Sequence, residues 1–288
     1  MIKRTVLALL LALLTIPMMA DGRRFTLVID AGHGGHDFGA PGAVTNEKTL
    51  TLRYALAFGR MVEERCPDVR VIYTRKRDVF IKLIDRAEIA NRNKADLFMS
   101  FHINAVEGSR SARGFQTWTL GRGASTGNKG IMENLDVAKR ENSVILMEKD
   151  YKQVYKGIDQ NSAESDIMFE FIADKNRERS VELAKLMQRE VCRATGRINA
   201  GAHQNNLAVL RLSSMPSCLL ELGFISTPDE ERFLNSDAAL SLYTQGIFNA
   251  FLQYKMRFAD KITVPYKSDD NTPRALPQIV PDEYRKQQ

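Results

Sequence analysis

Four side chains of types that bind metals or move protons lie near the ends of predicted strands or at the start of a predicted helix: His33, Glu47, His102 and Glu221. Two histidines and one carboxylate are a sufficient ligand set for a catalytic zinc ion, which keeps its fourth position for water. Imidazole with carboxylate suits Zn²⁺ better than Mg²⁺ or Ca²⁺. A further carboxylate in an apolar wall has a raised pKa and can accept and return a proton. The set therefore predicts metal-assisted hydrolysis, with Glu221 transferring the proton.

The first predicted strand and the loop after it position His33. The stretch VIDAGHGGHDFGAPG (residues 28–42) begins β-branched and apolar and ends in glycines, which allow a sharp turn at the strand tip. Glu47 lies in the first turn of a helix predicted over 46–64. A carboxylate at that position also complements the helix dipole. From its position alone, Glu47 is therefore either a ligand or a helix-stabilising charge.

Two further strands carry the other candidates. ADLFMSFHIN (95–104) ends with His102 and Asn104, and SCLLELGFIS (217–226) contains Glu221. The second run is nearly continuously apolar, which is typical of a central strand with both faces buried. An acid inside such a strand is costly unless it is paired or functional. Because α/β proteins build sites at the carboxyl ends of their strands, these side chains are expected at one edge of the sheet.

The order of the elements predicts an α/β fold: a single domain with a mostly parallel twisted sheet flanked by helices on both faces. Arg86 and its neighbour Asp85 are expected to be surface charges or a buried pair. The remaining predicted strands cover 69–75, 114–121 (an edge strand) and NNLAVLRLS (205–213). The remaining predicted helices cover 81–94, 176–195 and 236–256.

Residues 122–175 form a helical insert in the predicted catalytic domain, which spans 24–257. Within the insert, DIMFEFIADK concentrates apolar side chains from Ile167 to Ile172. This run is either a buried helix turn or an exposed docking patch. The final residues, 258–288, are polar and charged without a sustained period, which predicts a mobile tail.

The N-terminus has the pattern of a secretory signal peptide. Residues 1–20 combine a basic start, a short apolar run and small residues around Ala20. The run is short for a membrane span, so we expect cleavage near Ala20, export to the periplasm or beyond, and no transmembrane segment in the mature chain. Cys66, Cys192 and Cys218 form no paired motif and are expected to be free thiols. The alternative is one disulfide bond between two of them and one free thiol.

The charge of the chain bears on its partners. The 288 residues carry a net charge of +6, which favours anionic polymers of the cell envelope. No basic stripe interleaved with aromatic residues is present in the sequence, so nucleic acid is not an expected partner. We expect a monomer.

Four stretches together resemble the motifs of the zinc-dependent N-acetylmuramoyl-L-alanine amidases, the amidase-3 family: VIDAGHGGHDFGAPG, NEKTLTLRYA, SFHINA and CLLELGFIS, in the family's order. The resemblance implies peptidoglycan as substrate, with His33, Glu47 and His102 as zinc ligands and Glu221 as the catalytic glutamate. His36 and His203 match no functional position of the family.

The resemblance also extends to regulation. Periplasmic cell-division amidases carry an autoinhibitory helical segment in which a glutamate fills the open zinc position. RENSVI resembles that motif, which implies a regulatory role for Glu141. The run from Ile167 to Ile172 lies where those enzymes dock a protein activator. The expected biological role is cell wall remodelling and daughter-cell separation.

Two alternatives remain. A zinc peptidase cutting within the stem peptide would need the same ligands, and only the resemblance favours the amidase. A non-catalytic wall-binding module could keep the fold but would be expected to lose Glu221 or a ligand, and the sequence retains all four residues.

Overall fold

The computed structural model describes residues 24–121, 140–143, 145 and 166–259, and over 166–175 it describes only the helical backbone. The strands are β1 (Phe25–Ala31), β2 (Val69–Tyr73), β3 (Leu97–Asn104), β4 (Phe115–Leu120), β5 (Asn199–Asn205) and β6 (Ser217–Phe224). The helices are α1 (Glu47–Arg65), α2 (Leu83–Arg92), α3 (Asp166–Thr195), α4 (Ala208–Arg211), α5 (Pro228–Asn235) and α6 (Asp237–Phe258).

The strands form one sheet in the order β2-β1-β3-β6-β4-β5. β6 and β4 are antiparallel, and the other neighbours are parallel. Side chains along each strand alternate between two hydrophobic layers. In β1, Leu27 and Ile29 pack with α1, α3 and α6, whereas Val28 packs with α2 and α4. The predicted fold class, a mostly parallel sheet with helices on both faces, is therefore confirmed.

Two strand predictions were wrong for physical reasons. The predicted edge strand β4 lies inside the sheet between β6 and β5. The predicted strand 205–213 is instead the end of β5 followed by the single helical turn α4, whose Ala208, Val209 and Leu210 are buried. The edge strand on this side of the sheet is β5, NAGAHQN. It has no apolar alternation because all of its side chains stay at least partly exposed. Hydrophobic periodicity is weak in such a strand.

Helix α3 begins ten residues before the predicted start at residue 176, so it includes the DIMFEFIADK run. The other long helices agree with prediction to within two residues at each end. Cys66, Cys192 and Cys218 are free. None of the described helices is both long and apolar enough to cross a membrane. The predicted signal peptide (1–20), most of the insert and the tail beyond residue 259 lie outside the described residues.

Candidate functional site

The carboxyl ends of three neighbouring strands bring the candidate residues to one edge of the sheet. His33 follows β1, while His102 of β3 is the direct cross-strand partner of Glu221 on β6. Glu47 opens α1, which packs against β1 and β3. All four side chains are buried. Residues that are far apart in the sequence therefore lie together in one buried site.

Four side chains form a group that can hold a metal ion: His33, Glu47, His102 and Glu141, with ligand atoms all within 4.8 Å of one another. His33 Nε2 lies 3.1 Å from Glu47 Oε2, and His102 Nδ1 lies 2.8 Å from Glu141 Oε2. The distance from His33 Nε2 to Glu141 Oε2 is 3.4 Å. Ligands at about 2.1 Å from a tetrahedral zinc ion are separated by roughly 3.4 Å. The spacing thus suits four ligands around one ion.

Unsatisfied polar atoms test whether the site fits a cation. His33 Nε2, Glu141 Oε2 and Glu221 Oε2 are buried and have no hydrogen-bond partner. Buried polar atoms without partners are costly, so each such atom needs an explanation. A cation between His33 and Glu141 would satisfy two of them. The mixture of imidazole and carboxylate donors suits zinc among the common metals.

The charges of the site also favour a cation. Burial lowers the pKa of His102, but Glu141 outweighs this effect and raises it to about 10. Burial raises the pKa of Glu47, but His33 outweighs it, and the net shift is downward. The carboxylates thus attract positive charge into the site. Metal binding would replace the protons on the histidines, because a ligand must be deprotonated.

Asp37 fixes the orientation of His33. Its Oδ2 lies 2.9 Å from His33 Nδ1, so a proton on Nδ1 leaves the Nε2 lone pair free for the centre. A carboxylate in this position orients a ligating imidazole and raises its basicity. The sequence analysis did not identify Asp37. The sequence feature that could have identified Asp37 is the position of an acidic residue four places after the histidine.

Glu47 is held by backbone amides. Its Oε2 accepts a hydrogen bond from Ala40 N at 2.8 Å, and its Oε1 accepts one from Ile103 N at 2.8 Å. Two amides from separate segments fix the plane of this carboxylate. Its role in this structure therefore goes beyond complementing the helix dipole of α1.

Two glycines of the first motif pass too close to His33, Glu47 and His102 to carry a side chain. A Cβ on Gly32 would lie 2.4 Å from the His102 ring. A Cβ on Gly39, whose φ is +65°, would lie 2.7 Å from both His33 and Glu47 Oε2. Glycine at these positions lets the loop wrap around these three side chains.

Glu221 lies beside the metal-binding group without belonging to it. Burial raises the pKa of Glu221 to about 8, although Arg140 acts in the opposite direction. Arg140 Nη2 donates to Glu221 Oε1 at 3.2 Å. A carboxyl group with a pKa near neutrality can both accept and donate a proton.

The segment 140–143 covers the site. Arg140 donates to Glu141 Oε1 at 2.7 Å, to Asn104 Oδ1 at 2.8 Å and to the Ala105 carbonyl at 2.8 Å. Burial raises the pKa of Glu141, but His102 and Arg140 outweigh this effect and hold it well below its usual value. The segment is therefore attached to the sheet edge by charged contacts.

Asn142 anchors the same segment on its other side. Its Nδ2 donates to the Asn206 carbonyl at 3.1 Å, and its Oδ1 accepts from Ala208 N at 2.8 Å. The sequence analysis singled out Glu141 and missed the contacts of both neighbours, because they depend on the three-dimensional position of the insert.

The other singled-out residues lie elsewhere. His36 stacks on Phe80 at 4.1 Å between ring centroids, and His203 stacks on Trp118 at 4.7 Å. Neither belongs to the metal-binding group. The side chains from Ile167 to Ile172 lie outside the described residues, so the predicted docking patch is known here only as part of α3.

Known proteins are similar to this chain in sequence. The profile of the Amidase_3 family, described as N-acetylmuramoyl-L-alanine amidase, matches residues 27–253. The N-acetylmuramoyl-L-alanine amidase AmiA of Escherichia coli K12 is 29% identical over 235 residues, which cover 81% of this chain and 77% of that one.

Solved structures show the same fold. An N-acetylmuramoyl-L-alanine amidase from Clostridium difficile 630 superposes with a TM-score of 0.59 at 26% identity, covering 81% of this chain and 97% of that chain. The CwlD amidase from Clostridioides difficile, solved in complex with the GerS lipoprotein, superposes with a TM-score of 0.58 at 22% identity. That match covers 81% of this chain and 98% of the CwlD chain.

Proposed function

The chain belongs to the Amidase_3 family of N-acetylmuramoyl-L-alanine amidases, and from that premise we propose that it is a zinc-dependent peptidoglycan hydrolase. Its reaction is cleavage of the amide between the lactyl group of N-acetylmuramic acid and L-alanine of the stem peptide. The observation that carries the proposal is the convergence of His33 Nε2, His102 Nδ1 and the Glu47 carboxylate, with Glu221 directly beside them.

Each side chain has a distinct role in the proposed reaction. His33, Glu47 and His102 hold the ion, which when bound supplies Lewis acidity for the scissile carbonyl and lowers the pKa of water. Glu221 takes a proton from the attacking water and delivers it to the leaving nitrogen. The carbon–nitrogen bond breaks, leaving a lactyl carboxyl group and a free L-alanine amine. Asp37 keeps His33 in the required tautomer.

The experiment that tests this function is mass spectrometry of purified sacculi digested with the protein, with and without a chelator. We expect stem peptides with a free N-terminal L-alanine and glycan strands with an unsubstituted lactyl group. The chelator should abolish both products, and added zinc should restore them.

The rival functions give different products. Fragments cut inside the stem, with L-alanine still attached to the sugar, would identify a zinc peptidase. Sacculi that bind both the protein and its Glu141→Ala variant, and that stay intact with both, would identify a wall-binding module. Either result would contradict the amidase proposal.

The domain boundaries and location are part of the proposal. Residues 24–257 form the catalytic domain, 122–175 its insert and 258–288 a polar tail. The first 20 residues direct export, so the enzyme acts in the periplasm or otherwise outside the cytoplasm. Its biological role is wall remodelling and daughter-cell separation. The match of residues 27–253 to the family profile supports the catalytic boundaries.

Glu141 is proposed to keep the resting enzyme closed. Its carboxylate lies 2.8 Å from His102 Nδ1 and 3.4 Å from His33 Nε2, where it can take the fourth metal position. Arg140 at the same time binds Glu221. One segment therefore blocks both the metal and the proton-transfer group. An envelope enzyme that cuts its own wall needs such a closed state.

A protein activator is proposed to open the site. An activator acts only by binding the open state more tightly than the closed one. The run from Ile167 to Ile172 in α3 is the proposed docking surface, and its apolar composition supports this assignment. The CwlD amidase in complex with the GerS lipoprotein is an example of a protein of this fold with a protein partner.

A further inference from the structure

Three consecutive backbone carbonyls lead into the His33 side chain, and two buried arginines bind all three. Arg75 donates to the carbonyls of Ala31 and Gly32, and Arg86 donates to those of Ala31 and His33. We propose that Arg86 and Arg75 are positioning residues that hold His33 in place for metal binding. This inference rests on the proposed role of His33 as a metal ligand.

The loop that carries His33 needs external support. His33 itself has a φ of +60°, a left-handed backbone conformation that residues other than glycine rarely adopt. The next residues, Gly34 and Gly35, also have positive φ values. A backbone in this conformation persists only where its surroundings fix it. The arginine contacts fix it through the carbonyl oxygens.

Arg86 of α2 binds the end of β1, the loop that follows β1 and the segment that precedes α2. Its Nη2 donates to the His33 carbonyl at 2.7 Å, its Nη1 to the Ala31 carbonyl at 2.6 Å, and its Nε to the Ile81 carbonyl at 3.0 Å. Nη1 also lies 2.8 Å from Asp30 Oδ1, which balances the buried charge. Only 2% of Arg86 is exposed.

Asp30 is in turn fixed by two hydroxyl groups. Ser100 Oγ donates to Asp30 Oδ2 at 2.6 Å, and Thr74 Oγ1 donates to Asp30 Oδ1 at 2.6 Å. Burial raises the pKa of Asp30, but Arg86 and these hydroxyls outweigh it, so the net shift is downward. The carboxylate that neutralises Arg86 thus belongs to β1 itself and is buried.

Arg75 sets the position of the loop relative to α1. Its Nη2 donates to the Gly32 carbonyl at 2.8 Å and to the Lys48 carbonyl at 2.9 Å. Lys48 directly follows Glu47 in the first turn of α1. Arg75 therefore links the backbone before His33 to the backbone after Glu47. This contact fixes the separation of the two ligand-bearing segments.

The guanidinium group is required for this arrangement. Its planar fork has five donors and reaches several acceptors in different directions at once. A lysine side chain ends in a single nitrogen atom, which cannot donate to all of these carbonyls at once. The hydrogen bonds described for Arg86 go to carbonyls and to Asp30, and none goes to a ligand side chain. Any effect on metal binding must therefore pass through the backbone.

The test compares zinc affinity in Arg86→Lys and Arg75→Lys with that of the unsubstituted protein, by competition with a chromophoric chelator. Partners that orient metal ligands typically contribute about 10- to 100-fold in affinity, and we expect a loss of that size for Arg86→Lys. Arg53→Lys is the matched control, because Arg53 donates to the Asn235 carbonyl at 2.7 Å, away from the His33 loop. It should leave zinc affinity unchanged.

Circular dichroism and thermal unfolding of the metal-free proteins separate positioning from stability. If Arg86→Lys is folded and binds zinc as tightly as the unsubstituted protein, the inference is overturned, because a purely structural arginine affects only unfolding. If Arg86→Lys does not fold, Thr51→Val decides. Thr51 Oγ1 donates to the Gly32 carbonyl at 2.8 Å and accepts a hydrogen bond from Arg75 Nη2 at 3.1 Å, so it belongs to the support that Arg75 gives the loop. Valine has nearly the same shape but lacks the hydroxyl group.

The outcomes for Thr51→Val are equally definite. Weaker zinc binding in a folded Thr51→Val protein supports the inference, and unchanged binding overturns it. Failure of the unsubstituted protein to bind zinc would instead contradict the proposed function. The two failures are therefore distinguishable.

Discussion

Glu221→Gln is expected to keep its zinc and lose turnover by about 10²- to 10⁴-fold, the usual contribution of general acid–base catalysis. Glutamine preserves the shape of the side chain but cannot accept a proton from water. Among the residues that the structure describes, Glu221 belongs to no group that could hold a metal, so a glutamine amide there should not disturb metal binding. The measurement pairs zinc content per protein with the rate of fragment release from purified sacculi.

Glu230→Gln is the matched control for this substitution. Glu230 is also a buried glutamate, 2% exposed, but its carboxylate binds Arg197 and the backbone amides of Gly114 and Phe224. The control should retain turnover under conditions in which it is folded. If Glu221→Gln releases zinc and is no more impaired than the ligand variant His102→Ala, then Glu221 acts as a ligand and not as the base.

Glu141→Ala is expected to raise basal activity on the order of 10- to 100-fold. Removal of the carboxylate removes the contact with His102 and would open the metal position that Glu141 is proposed to fill. A hundredfold shift between closed and open states corresponds to about 2.7 kcal/mol. The measurement is the initial rate of fragment release from purified sacculi with no other protein present.

Glu107→Ala provides the control, because Glu107 is an exposed glutamate just beyond β3. Its activity should equal that of the unsubstituted protein. The double variant Arg140→Ala/Glu141→Ala should be at least as active as Glu141→Ala, since it also frees Glu221. If both Glu141 variants fold, keep zinc and show no gain, the enzyme is constitutively open and the insert has another role.

The apolar strands at the centre of the sheet were predictable because burial on both faces imposes a hydrophobic run. β1, β3 and β6 were all identified on this basis: β3 carries His102, β6 carries Glu221, and β1 leads into His33. β5 was missed because all of its side chains stay at least partly exposed, so burial imposes no hydrophobic pattern on it. α4 was mistaken for a strand because three consecutive buried apolar residues look the same in either conformation.

The side chains that could hold a metal were identifiable because their chemistry is visible in their type and in their position at strand ends. The residues that keep those side chains in position could not be identified from the sequence. The pattern left Arg86 as a surface charge or as a member of a buried pair with Asp85. In the structure Asp85 is exposed and Arg86 pairs with Asp30, 56 positions earlier. Such a pairing follows from sheet topology and not from local spacing.

The most direct test of the account is anomalous scattering at the zinc edge from crystals of the purified protein. We expect one ion bound by His33 Nε2, His102 Nδ1, Glu47 and Glu141, each at about 2.0–2.2 Å. An ion at another place in the chain would contradict the metal centre. An ion bound by the first three residues alone, with an ordered Glu141 turned away, would contradict the closed resting state.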